Sequence, residues 1–262
     1  MSEETKTPNP TMAILWFFIL TTLYFPVKYF VATKKSSGVG KVVFAIYLLL
    51  LITGELAINI GVTKSICSEP QYATAIVVTL VPWVIIFGVL NLMLMMYPSW
   101  LSPFSNTFGY GIAKLMGVST TMDELFVKST DGSNSNKAEL KRANEMLAQI
   151  YKDKSLLINE ITEENFESFW KRMSVLFVPG VKDNNNLKTK LLNQVRAKTI
   201  TSEYIWYLLT GWLVNASSFN YLMKSGCDVS PDEQKKRDSL HSKKQETKNN
   251  KSEPSVTYLI ND

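Results

Sequence analysis

Histidine is almost missing from this sequence: His241 is the single one, and it falls in a polar tail. That excludes chemistry built on a histidine pair or a buried imidazole base, and leaves His241 as a solvated residue. Cysteine is scarce too. Cys67 and Cys227 lie far apart in the chain, which gives neither a disulfide framework nor a zinc site. Two separate thiols are expected. The signature spacings of catalysis are also missing: there is no G-x-S-x-G, H-E-x-x-H, P-loop or G-x-G-x-x-G. The GVG at Gly38–Gly40 lacks a strand-turn-helix setting. Glu163 and Glu164 read as helix-start carboxylates rather than a paired acid and base. We therefore expect no enzymatic activity, no catalytic residue, no cofactor and no bound metal. The amino terminus, MSEETKTPNP, lacks the basic start of a secretory signal, and no A-x-A site follows. Nor does it carry the N-myristoylation pattern.

Charge is sparse over a long stretch, residues 12–97, whereas the chain from Asp123 onward is rich in Lys, Glu, Asn and Ser. A mean hydropathy near zero averages these two unlike parts. Three apolar runs stand out at about 12–31, 42–62 and 73–97. Each reaches the ~20 residues a helix needs to cross a bilayer. Pro26 and Lys28 fall near the end of the first, where a kink and a snorkelling ammonium are tolerated. In the second, Glu55 and Asn59 are four residues apart and so share one helix face. A carboxylate inside a span costs several kcal/mol unless it is neutral, paired or close to the interface. Glu55 and Asn59 either line an ion path or make helix–helix hydrogen bonds, and the second is the commoner use. In the third run Pro82 predicts a kink and Asn91 a polar contact with a neighbouring helix.

The fold class that follows is an all-α membrane protein. A polar tail, 1–11, precedes three transmembrane helices within 12–97. Residues 98–118 carry Trp100, Phe104, Phe108 and Tyr110 between two prolines and two glycines. They read as an irregular interfacial collar, since such rings favour the headgroup zone. A small helical extramembrane region spans 119–228. Asn136 can cap a helix whose stripe is Leu140, Ala143, Leu147 and Ile150. Thr162 caps the next, with Phe166, Phe169, Trp170 and Met173 inward, stopping near Pro179-Gly180. A third buries Leu187, Leu191, Leu192 and Val195. Residues 201–226 form a membrane-associated helix with only eleven successive apolar residues, Tyr204–Val214. That length suits a buried or surface helix better than a crossing. Its apolar face, Tyr204, Ile205, Leu208, Leu209 and Trp212, should turn inward, and Thr210, Ser217 and Asn220 outward. The tail, 229–262, is basic and lacks apolar periodicity, as disordered segments do.

Lys34, Lys35 and Lys41 crowd the first loop, and positive residues favour the cytosolic side. Three crossings then put the first loop, the helical region and the tail in the cytosol, opposite the amino terminus. A fourth crossing would carry Cys227 to the side of Cys67. The sequons at Asn215 and Asn250 would be cytosolic and unused under three crossings.

Two blocks, PSWLSPFSNTFGYGIAKLMG at 98–117 and TSEYIWYLLTGWLVNASSFNYLMKSGC at 201–227, resemble multi-span virion membrane proteins of nucleocytoplasmic large DNA viruses, those of algal and giant viruses. The resemblance implies residence in the internal membrane beneath an icosahedral capsid, and host endomembrane during assembly. It also implies contact between the helical region and capsid or minor capsid proteins. It transfers no catalytic residue. The expected function is a structural membrane protein that docks proteins on one side, with the lipid bilayer and capsid-associated proteins as partners. Self-association and contact of the basic tail with nucleic acid or anionic lipid are weaker expectations. The alternative is a viroporin-like channel using Glu55, Asn59 and Asn91.

Overall fold

In the computed structural model of the chain, which describes residues 10–34, 37–67, 69–128, 137–225 and 227, every regular element is helical. A lone antiparallel bridge, Phe126 with Phe177, is the sole exception among the described residues. Residues 1–9 of the expected tail 1–11, all of the expected tail 229–262, and the expected cap Asn136 lie outside that description.

The first two apolar runs become α1 (Thr11–Thr33) and α2 (Ser37–Cys67). Ser37–Lys41, expected in a polar loop, instead forms the first turn of α2. The third run starts as α3 (Tyr72–Val81), widens into a π turn at Pro82–Phe87 and resumes as α4 (Gly88–Met96). The wide turn sits where Pro82 removes a backbone donor, so the expected irregularity falls at that proline. These three segments are long and apolar enough to cross a membrane. They point to a multi-pass membrane protein, because much of their surface is large, apolar and exposed. Leu23, Phe30, Val42, Leu49, Val84 and Leu92 all face outward. The polar side chains Thr21, Glu55, Asn59, Thr79 and Asn91 face inward. Such inverted packing suits a solvent of hydrocarbon.

The collar is more helical than its prolines and glycines suggest. A 3₁₀ turn (Pro98–Leu101), α5 (Ser102–Phe104), a π turn (Ser105–Gly109) and α6 (Tyr110–Leu115) follow in succession. Pro98 and Pro103 each open a turn, where a missing N–H costs nothing. The irregularity lies in the changing turn type. Gly109 passes the backbone carbonyl of Lys198 so closely that a Cβ there would collide with it.

Beyond Gly117, whose φ of 81° suits glycine, come α7 (Val118–Leu125), α8 (Lys137–Lys152), α9 (Lys154–Glu160) and α10 (Phe166–Met173). Thr162 and Asn165 exchange hydrogen bonds ahead of α10, so that helix starts four residues after the expected cap. The aromatic stripe is placed as read: Phe166, Phe169 and Trp170 are buried, and Leu147 and Ile150 of α8 join them.

The largest departure is α11. The two helices expected on either side of residue 200 are one, Asn185–Lys224, of 40 residues. At 1.5 Å per residue that is about 60 Å of helix. Its first half buries Leu187, Leu191 and Val195 in the extramembrane core beside Met122, Leu125, Phe126 and Trp170. Its second half places Tyr207 and Val214 in the bundle core with Phe17, Tyr24, Leu51, Trp83 and Phe87.

Candidate functional site

Two places gather polar groups: the interior of the bundle and its junction with the extramembrane helices. Inside the bundle, residues 201–224 pack against the three apolar segments rather than in the extramembrane region or on the membrane surface. Their amphipathicity is reversed in part: Tyr204 and Leu208 pack against the bundle core and Asn220 faces outward as read, but Leu209, Trp212 and Thr210 have changed sides. Thr210, Gly211, Asn215 and Ser218 are buried, while Leu209, Trp212 and Leu213 are exposed. Counting successive apolar residues hides this arrangement, because a helix among spans needs an apolar face only where it meets lipid. Gly211 lets the Phe17 ring lie directly on the α11 backbone, as Gly54 does for Trp16 on α2.

Most of the buried polar groups can be followed to a partner, whereas Ser218 Oγ and the indole nitrogens of Trp16, Trp83 and Trp206 have none among the described residues. Thr21 and Tyr47 join α1 to α2 through their hydroxyls at 3.0 Å. With the Asn215 amide turned to satisfy both groups, its nitrogen donates to the Glu55 carboxyl at 3.1 and 3.3 Å. Asn59 Nδ2 donates to Thr79 Oγ1 at 2.9 Å. Glu55 and Asn59 therefore share a face as read, yet bind different helices, α11 and α3. Asn91 departs from expectation. It donates to the Phe87 carbonyl of its own helix at 2.8 Å instead of reaching a neighbour. Glu55, Asn59 and Asn91 are thus brought into one bundle but serve separate contacts. Nothing in the residue pattern pointed to Asn215 as the partner of Glu55.

The pairings fix a register. Tyr47 packs near Tyr207, and Glu55 meets Asn215. Both pairs differ by 160 in residue number, so α2 and α11 run parallel at the same depth. Cys67 and Cys227, expected as two separate thiols, are both disulfide-bonded rather than free.

At the first-loop end, Lys28 pairs with Glu203. Arg196 grips Glu163 Oε1 through Nε at 2.8 Å and Nη2 at 2.6 Å. The ammonium of Lys198 is buried and donates to the carbonyls of Ile158 at 2.7 Å, Ile161 at 3.0 Å and Asn159 at 3.3 Å. Burial pushes its pKa down to about 8, against a smaller upward pull from Glu160. Gln194 donates to the Met116 carbonyl at 2.9 Å and to Thr121 Oγ1 at 3.0 Å, tying α11 to the collar and α7. A cleft of about 470 Å³ opens here, lined among others by Tyr24, Lys28, Lys41, Phe44, Met95, Glu163 and Arg196. A second, of about 330 Å³, includes Asn91, Ser102, Asn159, Lys198 and Glu203. Neither contains Glu55 or Asn59.

No family, curated protein or solved structure matches the chain. Among the described residues no group of His, Cys, Asp and Glu is arranged to hold a metal ion.

Proposed function

We propose that this is a structural multi-pass membrane protein whose extramembrane helices form a rigid platform for docking other proteins. The observation that supports it is the continuity of α11. One unbroken helix has its first half in the extramembrane core and its second in the bundle core. Two domains joined by a flexible linker would turn independently. A shared helix, reinforced by Arg196–Glu163, Lys28–Glu203 and the Lys198 clamp, holds the platform at a fixed height and angle over the lipid. In this reading residues 202–222 of α11 form a fourth crossing, at the depth of residues 42–62 of α2.

The finer form of the proposal is the internal membrane of a large DNA virus, with capsid or minor capsid proteins as partners. It rests on the resemblance of residues 98–117 and 201–227 alone. Crosslinking mass spectrometry on native membranes or particles tests both forms. Exposed Lys152, Lys171 and Lys182 should link to a second protein species. Links confined to this chain would overturn docking, and links to a partner outside a virion would overturn the finer form alone.

The channel reading makes Glu55 the gate or filter. Liposomes containing the protein should then pass ions, and Glu55→Ala should abolish the flux. The docking reading expects no flux in either case, because Glu55 serves as an acceptor for Asn215.

A further inference from the structure

We propose that the cleft at the first-loop end of the bundle binds an anionic phospholipid. Lys28, Lys41 and Arg196 would hold its phosphate, and an acyl chain would lie along Val43, Phe44 and Met95.

The charge is the first argument. Three cations from three helices line this cleft; Glu163 pairs with Arg196 and Glu203 with Lys28, which leaves the charge of Lys41 uncompensated among the described residues. Lys28 and Arg196 are already positioned by their carboxylate partners, so little ordering remains when a ligand arrives. Lys41 is exposed and makes no ion pair among the described residues. It also sits on the first turns of α2, where the unpaired backbone N–H groups add a partial positive charge.

Shape and depth are the second argument. A volume of about 470 Å³ is in the range of small-molecule sites. One wall is apolar and leads to the outward side of the bundle, since Met95, which lines it, is strongly exposed. The basic end lies where the spans meet the extramembrane helices, at headgroup level. A basic pocket between membrane helices at that depth suits an anionic headgroup whose tails remain in the bilayer. Free phosphate shares the charge but leaves the apolar wall empty. The inference rests on the bundle being membrane-embedded and is independent of any docking partner.

Native mass spectrometry of the full chain in uncharged detergent tests it. The ligands are phosphatidylglycerol, phosphatidylcholine of the same chain length, and inorganic phosphate. Phosphatidylglycerol should be retained as a one-to-one adduct at least about tenfold more tightly than phosphatidylcholine. Inorganic phosphate at the same concentration should neither bind nor displace it. Lys41→Ala should weaken retention about fivefold, the equivalent of the ~1 kcal/mol that one basic residue contributes near an anionic lipid surface. Lys41→Arg should restore it. Lys34→Ala, which removes a charge outside the cleft, should change nothing. Equal retention of the two lipids would overturn the proposal, as would displacement by phosphate. So would an equal loss in Lys34→Ala, which would mean diffuse surface charge. The tag experiment below separates failure of the membrane reading from failure of this site.

Discussion

Asn59 and Thr79 show what a polar side chain does among these helices. Their hydrogen bond is direct, buried and between neighbouring helices. Such bonds in membrane bundles contribute about 0.6 kcal/mol, because the unpacked helices also find partners. A double-mutant cycle with Asn59→Leu and Thr79→Val should therefore return a coupling near ~0.6 kcal/mol, read from unfolding in detergent. A coupling at zero would mean that the pair is incidental. Steric fit matters more at Gly211, where Phe17 occupies the space of any side chain. Gly211→Leu should cost about 1–3 kcal/mol by overpacking, and Phe17→Ala in the same chain should recover most of it. Failure of that rescue would put Phe17 elsewhere. Lys198 carries a pH signature. Its pKa is about 8 in the folded chain, below its ordinary value of 10.5. The unfolded chain therefore binds more protons between those values, and folding stability rises with pH across that window. The melting temperature of the protein, relative to Lys198→Met, should increase from pH 8 to 10. A relative decrease would contradict the burial of the ammonium.

Among the elements, α11 separates what periodicity reveals from what it conceals. The apolar runs of α1, α2 and the α3–α4 segment were legible because their lipid-facing and partner-facing sides are both largely apolar. Phe166, Phe169 and Trp170 were legible because a helix in water must hide such a stripe. Residues 201–224 were not. Their pattern of Leu209, Trp212 and Leu213 against Thr210, Asn215 and Ser218 is the same for a helix buried in water and one turned outward in lipid. Amphipathicity fixes that the faces differ, and the surrounding solvent decides which face points in. The partner of Glu55 was hidden for the same reason, since Asn215 lies 160 residues away on a helix read as outside the bundle. The inverted orientation can be measured. Trp212 should be quenched by lipids brominated along the acyl chain, by comparison with a Trp212→Phe chain. Quenching by aqueous iodide alone would return α11 to water.

For the whole molecule, four crossings and three make opposite statements about its ends. With α11 in the bundle, tags at the amino and carboxyl termini should be equally accessible to protease in oriented vesicles, while a tag in the first loop is protected. Tags on opposite sides would defeat the fourth crossing. The parallel register of α2 and α11 also has a consequence for biogenesis. Glu55 emerges from the ribosome 160 residues before Asn215. At about 5–20 residues per second, the carboxyl waits roughly 8–32 s for its partner. Through that interval the three earlier spans sit in the bilayer with an open seam, and insertion and assembly are separate events. A chain stopped before residue 201 would never close the seam. It should insert normally yet be cleared by quality-control proteases that recognise unpaired polar groups in the membrane, much faster than the same truncated chain carrying Glu55→Leu.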